Sequence, residues 1–326
     1  MSESGDYDPG PWKGYDFKSA RRSYDVHVGR SYDDAVSSGK KKNEILEKSV
    51  TTNSEYPVVI ACDVTGSMGE WPATIFSKLP YLDLEGKEYL GKTMEISFAA
   101  VGDAYCDQYP LQVRPFTSGT DMKKRLEELV IEKGGGGQIM ESYDLAAVYY
   151  ANNAKMSKAI HKPIFIFIGD EGLYESVDKD QAKDCALVSI EGRMSAKKAL
   201  ENLKEKFSVY LIRKPYENSS GDGMSGVDKK IYNQWESYLG ADHIAILPEA
   251  GRVVDVIFGI FAKETDRVDY FKEEIEGRQK PNQIAAAYKS LRSIHNLPPK
   301  NSIKKIGDGR SVMRRHDKVE DAKSLI

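Results

Sequence analysis

A carboxylate and two hydroxyls at alternate positions open the chemistry of this chain. Asp63, Thr65 and Ser67 stand in the run Val58-Val59-Ile60-Ala61-Cys62-Asp63-Val64-Thr65-Gly66-Ser67-Met68. Three hard oxygens converging on one point suit a small hard cation such as Mg²⁺, which takes oxygen ligands octahedrally and keeps several waters. Gly66 permits the turn that such convergence needs. The same residue types after a strand also make ordinary turns and helix caps. A second carboxylate follows a second apolar run, in Ile168-Gly169-Asp170-Glu171. Other chemistries lack their residues. The five histidines (His27, His161, His243, His295, His316) have no paired ligand spacing. No Gly-x-Ser-x-Gly elbow occurs, and the four glycines at 134–137 are not followed by the Lys-Ser/Thr of a phosphate-binding loop.

These residues need elements to hold them. An apolar run bounded by a glycine turn reads as a strand buried on both faces of a parallel sheet, so Asp63 falls on the rim at the strand's carboxyl end. Open α/β folds bind ligands there. From Tyr56 onward the pattern alternates: strands over 58–62, 94–102, 111–116, 163–168, 207–212 and 243–247, and helices over 71–82, 122–132, 141–156, 195–206, 229–239 and 252–263. Such alternation implies βαβ units and a mostly parallel sheet. Pro110 and Pro115 flank the short third strand, which makes it an antiparallel edge.

Asp63-x-Thr65-x-Ser67 followed by Met68 resembles the metal-ion-dependent adhesion site of von Willebrand factor A domains, where Asp-x-Ser-x-Ser is usual. The resemblance covers about 55–263. It implies a doubly wound, mostly parallel six-stranded sheet with helices on both faces, and carries Asp170 over as a ligand acting through water. The third loop departs from the usual threonine after a glycine pair. The run from Gly134 to Ala146 looks more like the integrin β-subunit version, in which a glutamate opens the helix and reaches the metal. Glu141 takes that place, with Ser142 as its substitute. The expected metal set is therefore Asp63, Thr65, Ser67, Glu141 and Asp170. Asp103 is expected near the rim, as an acceptor behind the ligands, a ligand to an adjacent ion or a plain turn residue, and Glu171 is expected to face solvent. Ala100-Val101-Gly102-Asp103-Ala104 and the glycine-rich loop also look like a bacterial subgroup described only as von Willebrand A domain-containing, which brings no activity with it.

The resemblance implies a protein-binding module rather than an enzyme. A bound Mg²⁺, or Mn²⁺ or Ca²⁺, would capture an Asp or Glu of a partner protein within a larger assembly. Asp63-Val64-Thr65-Gly66-Ser67 also resembles the phosphorylated-aspartate loop of cation-pumping ATPases and haloacid-dehalogenase phosphotransferases, with Asp63 as nucleophile and Gly169-Asp170 holding Mg²⁺. Position 64 is Val where that chemistry wants Lys or Asp, and only the adhesion-site reading accounts for Met68 and Glu141.

At 326 residues, a single α/β domain with extensions is as natural as two domains. The expected division is an N-terminal arm over 1–54 that packs on the domain, a domain over 55–263, and a charged extension over 264–326. A net charge of −3 argues against bulk attraction to nucleic acid or an anionic membrane surface. Three cysteines without metal spacing, no leader pattern at the start and no run of roughly 20 apolar residues read together as a cytoplasmic protein.

Overall fold

The computed structural model describes residues 35–37, 39, 45–132, 137–216, 224, 226–247 and 249–295. The charged extension beyond 295, most of the N-terminal arm and most of the glycine run lie outside the described residues. Six strands form the central sheet: β1 (Pro57–Asp63), β2 (Glu95–Val101), β3 (Leu111–Val113), β4 (Ile164–Gly169), β5 (Ser208–Arg213) and β6 (Ile244–Ile246). Their spatial order is β6-β5-β4-β1-β2-β3. All neighbours are parallel except β2 and β3, which run antiparallel with Ala99 opposite Val113. The chain thus builds outward from β1 in one direction and then from β4 in the other. The carboxyl ends of β1 and β4 stand side by side where the order reverses.

Every residue of β1 and β4 is buried, as their unbroken apolar sequences require. One face, formed by Val59, Ala61, Phe165, Phe167 and Leu211, packs with side chains from α4 (Tyr143–Asn153), α6 (Ala196–Lys206) and α7 (Gly226–Leu239). The alternate residues, Val58, Ile60, Ile166 and Tyr210, are equally buried. From that set, the Tyr210 hydroxyl donates to Glu264 at the end of α8 (Val253–Glu264) at 2.5 Å.

Several boundaries differ from the sequence expectation for local reasons. The helix expected over 71–82 divides into α1 (Trp71–Lys78), a 3₁₀ turn at Leu79–Tyr81 and α2 (Leu82–Leu90). Pro80, in that turn, has no N–H for the α-helical ladder. The helix expected over 122–132 is the shorter α3 (Asp121–Glu127). The helix expected from Glu141 starts at Tyr143, because Met140–Glu141 pairs as a short parallel strand with Gly172–Leu173. A helix without a hydrophobic run, α5 (Lys179–Ala186), is started by a capping box of Asp178 and Gln181.

Packing also continues past the expected limit at 263. Helices α9 (Val268–Arg278) and α10 (Pro281–Ser290) follow, and Arg252 Nη1 donates to both Asp255 of α8 and Gln279 just after α9, each at 3.0 Å. Before the sheet, Val50–Thr51 pairs in parallel with Ala154–Lys155, and the Val113 amide of β3 donates to the Ile45 carbonyl at 3.1 Å. Among the described residues, no helix is long and apolar enough to cross a membrane.

Candidate functional site

The parallel register brings three strand ends to one rim. Asp63 closes β1, Asp170 follows Gly169 of β4, and Lys214 follows Arg213 of β5, with Gly169 paired to Arg213. The loop after β1 folds back on its own aspartate. Both the amide and the hydroxyl of Thr65 donate to Asp63 Oδ1, at 2.9 and 2.7 Å. Thr65 Oγ1 lies 3.2 Å from Ser67 Oγ, and Ser67 Oγ donates to Asp170 Oδ1 at 3.0 Å. The structure therefore brings Asp63, Thr65, Ser67 and Asp170 into one hydrogen-bonded chain.

Asp63 is fully buried, and its second oxygen accepts from the Tyr143 hydroxyl at 2.6 Å. The Tyr143 ring in turn lies edge-on to Trp235 and Phe167. Gly169 makes that reach possible. A Cβ at position 169 would fall 1.8 Å from the Tyr143 hydroxyl oxygen and 3.0 Å from the Asp63 Cβ.

Negative charge is in excess here. Burial, followed by the Asp170 carboxylate, pushes the Asp63 carboxyl up to about 8. Burial, then Asp63 and Glu171, pushes Glu141 up to about 11. Burial and Asp170 raise Glu171 to about 7, against the opposing bond from Tyr216. Among the described residues, Oε2 of Glu141 and Oε2 of Glu171 are buried without a well-placed donor, although the two side chains meet each other and Glu171 also meets Ser67. Orphaned buried carboxylate oxygens are costly unless something positive meets them. The cationic group bonded to this cluster is Lys214, whose Nζ donates to Asp170 Oδ2 at 2.9 Å and to the Ser67 carbonyl at 2.5 Å.

Glu141 is buried and electrostatically coupled to Asp63, but the structure gives it no direct bond to the Asp63–Asp170 chain. Ser142, its expected substitute, is engaged elsewhere: its Oγ accepts the Ala104 amide at 2.9 Å and its own amide donates to Gly102. Glu171 corrects the expectation of a solvent-facing side chain. It is 4 % exposed, is bonded by the Tyr216 hydroxyl, and its carbonyl accepts from Trp235 Nε1 at 2.9 Å. Asp103 is a buried turn residue, taking the Tyr105 amide on one oxygen and the Tyr174 hydroxyl on the other. Sequence reasoning missed Lys214, which lies 44 residues from its partner Asp170 and belongs to no motif. It also missed Tyr143 as the residue that holds Asp63.

All the donors are oxygens, from carboxylates, hydroxyls and carbonyls, which is the set that hard divalent cations prefer. Among the described residues, no three His, Cys, Asp or Glu side chains form a metal-holding group by themselves. Hydroxyls fill the gaps between the carboxylates instead.

No protein-family profile matches the chain, and no curated protein matches it. Among solved structures, the chain is similar to the pilus adhesin SpaC of Lactobacillus rhamnosus GG, at 9 % identity and a TM-score of 0.42 over 71 % of this chain and 31 % of the adhesin. The open conformation of that adhesin gives 8 % identity and the same TM-score over 70 % and 31 %. The chain spans about a third of the adhesin's length, and likeness at this level carries no argument about function.

Proposed function

We propose that this protein is a divalent-cation-dependent protein-binding module of the von Willebrand A type, with its sheet doubly wound and its adhesion site at the strand-order reversal. The observation that carries the reading is the bonded chain Asp63–Thr65–Ser67–Asp170, assembled from two parallel strand ends beside the buried Oε2 atoms of Glu141 and Glu171. Asp63, Thr65, Ser67 and Asp170 would hold the ion, with Glu141 closing the site from the start of α4. A bound Mg²⁺, Mn²⁺ or Ca²⁺ would supply Lewis acidity toward a carboxylate oxygen.

The protein's own residues do the rest. Tyr143 fixes the Asp63 carboxylate from behind, so that its orientation is set before any ligand arrives. Thr65 and Ser67 keep the β1 loop folded over the rim. The partner group that best fits such a site is an Asp or Glu side chain from another protein. The aspartyl-phosphate alternative fares worse, because position 64 is Val where that chemistry wants Lys or Asp.

Calorimetric titration of the full chain with Mg²⁺, beside Asp63→Asn and Glu141→Ala, tests the reading. Binding in the wild type that Asp63→Asn abolishes supports it, and loss in Glu141→Ala as well adds the glutamate to the ligand set. Absence of binding of Mg²⁺, Mn²⁺ and Ca²⁺ by the wild type overturns it.

A further inference from the structure

Lys214 is the feature that the adhesion-site reading does not use. Its ammonium bonds Asp170 Oδ2 while Ser67 Oγ bonds Oδ1 of the same carboxylate, so both oxygens of Asp170 are taken. The same ammonium also takes the Ser67 backbone carbonyl. A small cation drawn to Asp170 and Ser67 meets a positive charge already standing on them. Like charges at that range repel, and a shared carboxylate cannot serve both fully. The lysine reaches the site from its solvent side. Its side chain is 17 % exposed on a four-carbon stem with rotatable bonds, and its ammonium also stands over the Trp71 ring, 5.7 Å from the centroid.

We infer that Lys214 is a tethered counter-cation of the acidic rim, which neutralises Asp170 when no metal is bound and must be displaced for a divalent cation to enter. The inference rests on the cation-binding reading above and adds its regulation: metal binding is an exchange of one positive charge for another. Exchange lowers the apparent affinity for the ion and keeps the metal-free site from repelling itself apart. The apparent dissociation constant rises by the inverse of the fraction of molecules whose lysine is off the site, and binding stays hyperbolic.

The test uses the full chain, MgCl₂ and two variants. In EDTA, Lys214→Met is expected to unfold at a lower temperature than the wild type. In calorimetry it is expected to bind Mg²⁺ about tenfold or more tightly, a change of about 1.4 kcal/mol. Lys214→Arg, which keeps the charge, is expected to stay near the wild type in both measurements. Equal or weaker binding by Lys214→Met, beside normal binding by the wild type, overturns the inference and leaves the adhesion-site reading standing. Silence in both overturns both. A readout in the wild type itself covers the case of a variant that does not fold. Acylation of the Lys214 amine, followed by mass spectrometry, is expected to rise when Mg²⁺ is added, and an unchanged or reduced rate overturns the exchange.

Discussion

Two buried polar regions of this molecule obey opposite rules. At the junction of α8 and α9, Asp255 accepts from Arg252 Nη1 at 3.0 Å and from Gln279 Nε2 at 3.2 Å, so every oxygen meets a donor. On β5, the buried charges of Arg213 and Asp228 match one for one at 1 % and 2 % side-chain exposure, and Asp228 also takes the Tyr216 amide at 3.0 Å, although Arg213 Nε has no partner among the described residues. At the rim, by contrast, four carboxyls, Asp63, Asp170, Glu141 and Glu171, crowd together with one lysine among the described residues. Balanced networks hold elements together. An imbalance that burial makes costly persists where function maintains it, which is why perturbed, under-paired groups mark candidate sites.

That contrast can be broken in measurable ways. Removing one member of a balanced pair should hurt most: Asp228→Ala leaves the Arg213 charge buried and should cost about 3–5 kcal/mol in urea unfolding. A cost below about 1 kcal/mol would class the pair with ordinary surface contacts. Gly169→Ala should follow at about 1–3 kcal/mol, since the new methyl group drives Tyr143 from Asp63. An undiminished stability would mean that the Tyr143–Asp63 contact is dispensable.

The pH dependence in EDTA comes next. A carboxyl raised in the folded state stabilises fully below the ordinary carboxylate range, and the effect is lost as pH rises through the folded value. Asp255, raised by burial to about 6, has given up its contribution by then, whereas Asp63 at about 8 and Glu171 at about 7 have not. Stability of the metal-free protein should therefore still fall between about pH 6 and about pH 8, by up to about 1.4 kcal/mol per pH unit for each proton released. A flat profile over that interval would remove the distinction between the two regions. The smallest effect is also the most telling in sign. Glu141→Gln should stabilise the metal-free protein by about 0.5–2 kcal/mol, as replacements at strained functional sites do, whereas Asp255→Asn should destabilise it. Matching signs would undo the comparison.

Much of the scaffold was legible in the sequence because a buried parallel strand writes itself as an apolar run. Val58–Cys62 and 163–168 locate β1 and β4 to within a residue, and Pro110 and Pro115 mark the antiparallel edge. The loop residues Asp63, Thr65 and Ser67 were legible because one turn supplies them all. What escaped was set by tertiary packing. Lys214 follows a strand without any distinguishing neighbour and gains its meaning only from the parallel register of β4 and β5. Glu171 reads as a charged loop residue, yet Tyr216 and Trp235 bury it. Ser142 looks like a free hydroxyl at a helix start, but it secures the 102–107 loop. The helices after 264 carry many charges, and their buried apolar residues, Phe271, Ile275, Ile284, Ala287 and Tyr288, are spread too thinly among them to announce packing on α8.

The short approach to the sheet has a consequence for handling the protein. β3 is the last strand on its side, and its outer backbone would be open to pairing were it not for the segment beside it. Leu46 forms a parallel bridge with Val113, and Arg114 reaches the Ile45 carbonyl at 2.8 Å. Open strand edges recruit other chains, and natural sheets cover them. A fragment cut at 55 would keep all six strands and every rim residue yet bare that edge. Its expected failure mode is self-association and precipitation rather than loss of the cluster at the rim, because Ile45 and Leu46 are what cover that edge.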